Sequence, residues 1–411
     1  MAQRKQRRWN LLALLALLLS LALVLFSMGQ IELQGVQSRD GLRLASTPRA
    51  LTTTRDGGPM AGAGLVRGER LTPAEAQADQ KDFDRAQYHV YVGVYNTNNH
   101  SLDLRVPSFA GSGYVWMNWD GEMQRYLEEQ DTTINRIVVP ANLLNADASS
   151  ALQPVAEKPL RLPDGRYYQL FTYQGSFYVD HVDYRRFPFM RISLPLALEV
   201  NDVEGALDYD NLRLVPELKD SGMGMYADIT GLLIQGWSIA EYRHHYATNF
   251  GLGGAEDDYS QVVFDVAYGA SAWSSFWRLL LPLSVVMAMV LLVSKLRNDL
   301  QDVRSTLPVT ILLTLVFLQQ SYRSALPDLP YLSFLDQVYV VAYMLTLIAF
   351  VLVIWIGRRY SELESAAGLM EEQQATAQLQ RLGRIDDVWP VLVVLLGSAS
   401  IAICWLLIPA G

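Results

Sequence analysis

A single cysteine, Cys404, stands in the whole chain, and it lies in an apolar run. That excludes a disulfide framework and any CxxC zinc site. Charge is scarce as well: 18% of the 411 residues are Asp, Glu, Lys or Arg, against about 25% in a soluble domain. Nor is the charge basic. Lys and Arg number 33 against 42 Asp and Glu, a formal net charge of −9, so the basic face that a nucleic-acid binder needs is missing. HExxH, GxxxxGK(S/T) and GxSxG do not occur, and no spacing pairs two carboxylates for acid–base work. The sequence therefore predicts no enzyme, no metal site and no cofactor. His244 and His245 are adjacent, which sends their rings to opposite faces of a strand rather than to one metal. Glu256, Asp257 and Asp258 in their Gly-rich loop offer a cation site, but read in preference as a solvated turn.

What the chain has instead is apolar length, with 51% hydrophobic residues. Five runs are long enough to cross a bilayer, which takes about 20 residues each: Asn10–Met28, and roughly Trp273–Leu296, Leu307–Leu326, Leu332–Ile356 and Val388–Pro409. The first follows the basic start MAQRKQRR, so residues 1–29 read either as a cleaved signal peptide or as an uncleaved anchor. Lys295, Arg297 and Arg304 follow the second run, and Arg358, Arg359, Arg381 and Arg384 separate the last two. Basic loops stay inside, which puts the segment after residue 29 outside.

Residues 30–85 show no sustained apolar period and contain GGPMAGAG, which reads as a flexible linker. From Tyr88 the texture changes to short β-branched and aromatic runs such as YHVYVGVYN, YVWMNW, GWSIAEY and SQVVFDVAYG. Asp164-Gly165 marks a hairpin turn. Many short strands with no helical period between them predict an antiparallel, immunoglobulin-like β-sandwich over 86–272. Four helices over 273–411 follow. The stretch 358–386 reads as a helical cytoplasmic linker, an extension of the preceding helix capped near Gly383.

One apolar run differs from its neighbours. In DVRSTLPVTILLTLVFLQQSYRSALP, the residues Asp302, Thr306, Thr310, Leu313, Phe317, Gln320 and Ser324 recur at steps of three and four and share one helix face. In hydrocarbon such a stripe must meet water or another helix. Either the hydroxyls bond back to their own helix and to a bundle, or the stripe lines a pore. As a pore, Asp302 becomes a ring of carboxylates that attracts cations, and Leu313 and Phe317 become apolar constrictions that close by dewetting. One helix encloses no water, so a pore requires a symmetric ring of subunits.

The same segment carries a resemblance. RSTLPVTILLTL resembles the RxTLGVTxLLTM core of the pore helix of prokaryotic pentameric ligand-gated ion channels. LPDLPYLSFLDQVYVV resembles their next loop and third channel helix, and Pro282 matches the proline of their first. In GSFYVDHVDYRRFPFMRISLPLALE, Asp183, Phe187, Pro188 and Phe189 match the Asp-x-x-x-Phe-Pro-Phe signature. The likeness spans about residues 86–411 in order. The bridging cysteines of the animal receptors are absent, with Asp180 and Leu194 in their places. Met190 and Ala270 replace charged coupling residues, and Pro308 stands where glycine is frequent.

The resemblance implies a homopentamer in a bacterial inner membrane, with a periplasmic sandwich and contacts to lipid. Its expected partners are a small-molecule agonist and inorganic ions, cations in preference. Agonists would bind between subunits under the hairpin around EYRHHYATNFGLGGAEDDYSQ, where Tyr242, Tyr246, Phe250 and Tyr259 are candidates for an aromatic cage. His244 and His245 are alternative proton sensors. Gating would pass from Phe187–Phe189 to the loop holding Pro327, Pro330 and Tyr331. Arg304 would point away from the axis, leaving Asp302 to set selectivity. The rival expectation is a non-conducting receptor or scaffold of the same fold.

Overall fold

The computed structural model describes residues 41–48, 50–52, 71–144, 151–180, 182–201, 207–248, 257–296, 300–366 and 372–408. The first apolar run, Asn10–Met28, lies outside the described residues. The chain divides into a β-rich unit, which ends at Ser271, and a helical unit, which begins at Ala272 and also takes in Tyr184–Met190.

The β-rich unit starts with two short strands, β1 (Gly41–Leu44) and β2 (Ala50–Thr52), and a helix, α1 (Pro73–Arg85). Ordered elements thus stand inside the stretch expected as a flexible linker over 30–85, while its residues 30–40, 49 and 53–70 lie outside the described residues. β1 and β2 add to the edge of a longer strand through backbone hydrogen bonds, which need no apolar alternation. In α1, the Thr72 hydroxyl accepts from Glu75 N while the Glu75 carboxylate accepts from Thr72 N at 2.8 Å, with Pro73 opening the helix. This reciprocal cap starts a helix too polar to show a period.

Next come β3 (Tyr88–Asp103), β4 (Ser108–Trp119), α2 (Gly121–Glu129), α3 (Ile134–Ile137), β5 (Val138–Pro140) and β6 (Leu143–Leu144). Asp120 caps α2 by accepting from Glu122 N and Met123 N. The two helices correct the reading that no helix interrupts the strands. β7 (Leu152–Pro154), β8 (Leu160–Arg161), β9 (Tyr167–Tyr178), β10 (Arg191–Val200), β11 (Leu212–Pro216), β12 (Gly222–Tyr226), β13 (Leu232–Tyr246) and β14 (Asp257–Ala270) complete the unit. The turn between β8 and β9 forms at Asp164-Gly165 as expected: Gly165 has φ +90°, a conformation that favours glycine, and Leu162 N donates to Arg166 O.

Two sheets result. One runs β1-β13-β14-β10-β5, with β2 also on β13. The other runs β11-β3-β4-β9-β6, with β12 on β3 and β7 and β8 on β9. Pairing is not wholly antiparallel, because β11 and β12 run parallel to β3: the chain enters β11 from the end where β3 starts, and Tyr88 N bonds Asn211 O. Alternate residues of β4 turn inward, so Phe109, Val115, Met117 and Trp119 are buried, the period of two expected of a half-buried strand.

A buried ionic network ties α1 to both sheets. Arg213 on β11 donates to Glu241 on β13 at 2.7 Å and pairs with Asp79 on α1 at 3.3 Å. Asp79 also accepts from Ser46 N, the Ser46 hydroxyl and the Tyr209 hydroxyl. Burial acts to raise Asp79, but these hydrogen bonds and the Arg213 charge outweigh it and hold the carboxyl below its ordinary value. For Glu241 burial wins and the carboxyl lies above its ordinary value, with Arg213 opposing.

Among the described residues, the helical unit holds four helices long and apolar enough to cross a membrane: α4 (Ala272–Leu292), α5 (Gln301–Arg323), α6 (Phe334–Ala366) and α7 (Glu372–Leu407). The chain is a multi-pass membrane protein. α6 packs against α5 and α7, and α4 against α5. α7 runs straight through Gly383, so the expected cap near Gly383 does not form. One interior glycine costs about 1 kcal/mol, less than the Gln-, Ala- and Leu-rich helix around it provides.

Candidate functional site

α5 has two unlike sides. The side against its neighbours buries Arg304, Pro308, Ile311, Leu315 and Tyr322. All seven residues of the polar stripe, Asp302, Thr306, Thr310, Leu313, Phe317, Gln320 and Ser324, are exposed. Leu313 is 56% exposed and Phe317 66%, with Val303, Val309 and Val316 exposed beside them. Arg304 is 1% exposed and sits on the opposite side from Asp302, as two residues at 100° each require. Over 281–292 and 388–407 the exposed surfaces of α4 and α7 are mostly apolar instead, with Val285, Met289, Val391, Leu395 and Leu406 among them and Ser284 and Ser398 the exposed hydroxyls.

The hydroxyl protons of the stripe are spent within the helix. Thr306 donates to Asp302 O at 2.8 Å, Thr310 to Thr306 O at 3.2 Å and Ser324 to Ser321 O at 2.9 Å. A hydroxyl that has given its proton inward keeps an acceptor lone pair for whatever lies outside. At the Asp302 end α5 comes close to α6: Gln301 Nε2 donates to Val353 O, and a side chain in place of Gly357 would collide with Gln301.

At the other end, α5 and α6 are joined through one buried carboxylate. Asp336, 2% exposed, accepts from the Tyr322 hydroxyl at 2.6 Å, the Ser333 hydroxyl at 2.8 Å and Ser333 N at 3.1 Å. Arg323 Nε approaches it at 3.2 Å. Ser333 returns the bond by accepting from Asp336 N, so the pair is also the capping box of α6.

The two N–H groups that this cap leaves over are taken by another segment. Phe334 N donates to Arg185 O at 2.8 Å and Leu335 N to Phe187 O at 3.2 Å. Helix starts leave four such groups without an intrahelical partner, and Tyr184–Met190 satisfies half of them. Its aromatic side chains add to the contact. Phe187 stacks on Tyr322 with ring centroids 6.1 Å apart, Phe189 lies 6.2 Å from Phe334 and 5.8 Å from Trp405, and Arg185 covers the Tyr331 ring. The Ser275 hydroxyl donates to Pro188 O.

The structure thus brings together Phe187, Pro188, Phe189 and Tyr331. Half-buried Pro327 and exposed Pro330 lie on the loop between α5 and α6, and Asp183 falls in the β-rich unit. The residues that join these parts, Tyr322, Ser333 and Asp336, were not singled out from sequence. The signal was present: Ser333-x-x-Asp336 before an apolar run is a capping-box pattern.

The aromatic candidates on the sandwich are arranged differently from an open cage. Tyr242 is 1% exposed and packs with Leu44, Ala197, Ala240 and Val263. Tyr259 is 6% exposed, with its ring 5.8 Å from that of Tyr246. Phe250 lies outside the described residues. Glu199 on β10, also missed from sequence, accepts from the Tyr246 hydroxyl and from Gln261 and meets His244 Nδ1 at 2.5 Å. His245 instead meets Asp258 at 2.9 Å, and Asp258 also pairs with Arg243. The two rings therefore serve different carboxylates.

No protein-family model matches the chain, and no curated protein is significantly similar to it.

Proposed function

We propose that this chain is the subunit of a homopentameric ligand-gated ion channel of the bacterial inner membrane, with its sandwich in the periplasm, and that it is not an enzyme. The observation that carries the reading is the exposed polar stripe of α5, set against the mostly apolar surfaces of α4 and α7. A helix showing carboxylate, hydroxyl and amide groups on the side away from its neighbours needs water or further copies there, and a ring of copies supplies both.

Asp302 and the acceptor oxygens of Thr306 and Thr310 favour cations over anions. The burial of Arg304 supports the same preference, because it takes the nearest cation off the stripe. Leu313 and Phe317 form the dewetting gate. A small-molecule agonist, or protonation near His244, acts on the sandwich, and Tyr184–Met190 carries the effect to the start of α6. Met190 and Ala270 stand where charged coupling residues were expected, and the backbone hydrogen bonds of Arg185 and Phe187 give that segment a grip that needs no such charges.

The hydroxyls bonded back into α5 also suit a non-conducting receptor of the same fold. Flux through liposomes holding Leu313→Ser under a sodium chloride gradient separates the two readings. A polar ring at the gate wets the closed pore without an agonist, so a cation leak larger than that of the unaltered chain is expected. A tight membrane with assembled rings would leave the receptor reading.

A further inference from the structure

The hairpin of β13 and β14 outruns the sheet it belongs to. Pairing of β10 with β14 ends at Glu199 and Gln261, while the hairpin continues through the pairs Arg243–Ser260, His244–Tyr259 and His245–Asp258. Among the described strands, only β1 adds a further ladder to this outer part, residues 243–246 and 257–260. Leu42 pairs with His244, Arg43 with Arg243 and Leu44 with Tyr242.

After Leu44 the chain leaves β13. Ala45 N still donates to Glu241 O at 3.0 Å, but Ser46 turns to α1, where its N–H and its hydroxyl both donate to Asp79 Oδ2, at 2.8 and 2.5 Å. The chain returns to β13 at β2, where Leu51 pairs with Ser238. A strand that only shielded a sheet edge would need no such detour. The opposite edge of the hairpin is held by a second segment that leads to the same carboxylate. Tyr209 N donates to Asp258 O of β14 at 2.8 Å, and the Tyr209 hydroxyl donates to Asp79 Oδ1 at 2.6 Å. Arg243 of β13 lies over the Tyr209 ring and pairs with Asp258.

We infer that Asp79 is the latch of a two-armed clasp through which α1 sets how readily the outer hairpin opens. One arm is β1 with Ser46, on the β13 edge; the other is Tyr209, on the β14 edge. Leu44 adds apolar grip to the first arm by packing with Ala197 of β10 and with Ala240, Tyr242 and Val263. A displacement of α1 reaches both edges of the hairpin, and a displacement of the hairpin reaches α1, because contiguous packed and hydrogen-bonded contacts carry coupling of this kind. The inference rests neither on conduction nor on what the hairpin binds, and its test reads hairpin opening alone.

The test is hydrogen exchange, read by mass spectrometry, on the detergent-purified full chain and on Ser46→Ala, Tyr209→Phe and the double variant. Ser46→Ala takes one donor from Asp79 and leaves the β1 ladder intact; Tyr209→Phe takes the other arm's donor and leaves the Tyr209 backbone bond to Asp258. Local opening sets the exchange of such amides. Exchange at 243–246 and 258–260 is expected to rise several-fold in each single variant and by about tenfold or more in the double one. Residues 262–268 of β14, held by β10, are expected to keep their protection. Unchanged exchange of the outer hairpin in the double variant would overturn the clasp. So would an equal rise at 262–268, which would show a loosened sheet rather than a released hairpin. Ser46→Ala, a single hydroxyl lost, decides the matter if the buried Tyr209→Phe change impairs folding: no rise at 258–260, which β1 does not pair with, would then overturn the inference.

Discussion

Asp302 and Arg304 stand two positions apart on one helix and have opposite surroundings, because two residues carry a side chain about 200° round the axis. The carboxylate is exposed and the guanidinium is not. If the stripe lines a cation pore, Asp302→Asn lowers the ratio of cation to anion permeability, which reversal potentials in a sodium chloride gradient would read; an unchanged ratio would remove Asp302 from the selectivity mechanism. At Asp79 the same scale gives a pH dependence. Its folded value lies below its unfolded one, so its stabilisation is complete above the ordinary aspartate value of about 3.9 and is lost as pH falls below it. Asp79→Asn is expected to cost about 1–2 kcal/mol at pH 7. In thermal unfolding at stepped pH, the gap from the unaltered chain should close below about pH 4.

The start of α6 is an element whose stability is supplied from three places: Ser333 and Asp336 in its own first turn, Tyr322 and Arg323 at the end of α5, and the carbonyls of Arg185 and Phe187. Removing the carboxylate leaves buried donors unpaired. Asp336→Ala is therefore expected to cost about 3 kcal/mol and to raise hydrogen exchange at Phe334–Gln337, while the exchange of β13 and β14 stays as it was. Equal protection at both places would show that the carboxylate does not hold the helix start. The four apolar helices and most strands were legible in sequence because length, hydropathy and alternation are local properties. α1 escaped notice because its cap, not an apolar stripe, announces it, and β1 and β2 because they are held by backbone pairing to β13 rather than by side-chain pattern.

At the scale of the whole molecule, the described exposed faces of the helical unit are of two kinds, mostly apolar on α4 and α7, and on α5 a stripe in which Asp302, Thr306, Thr310, Gln320 and Ser324 flank Leu313 and Phe317. Lipid suits the first kind and not the second. The proposed ring of five predicts that native mass spectrometry of the detergent-purified chain gives five times the chain mass, and that truncating Val309 and Val316 together to Ala lowers the share of assembled rings. A monodisperse monomer would remove the pore.

The sequence by itself determined that this is a membrane protein with a β-rich part ahead of four apolar helices, and that one helix carries polar residues on a single face. Composition and periodicity suffice for that, since each is written within a run of about twenty residues. Only the tertiary structure decided which face of α5 is covered. It alone showed Arg304 buried, Tyr242 packed into a core, and Asp336 at the junction of two helices. It also paired Asp79 with Arg213, 134 positions apart. Such outcomes depend on which distant groups satisfy a buried charge or hydrogen bond, and no local pattern along the chain encodes that partner.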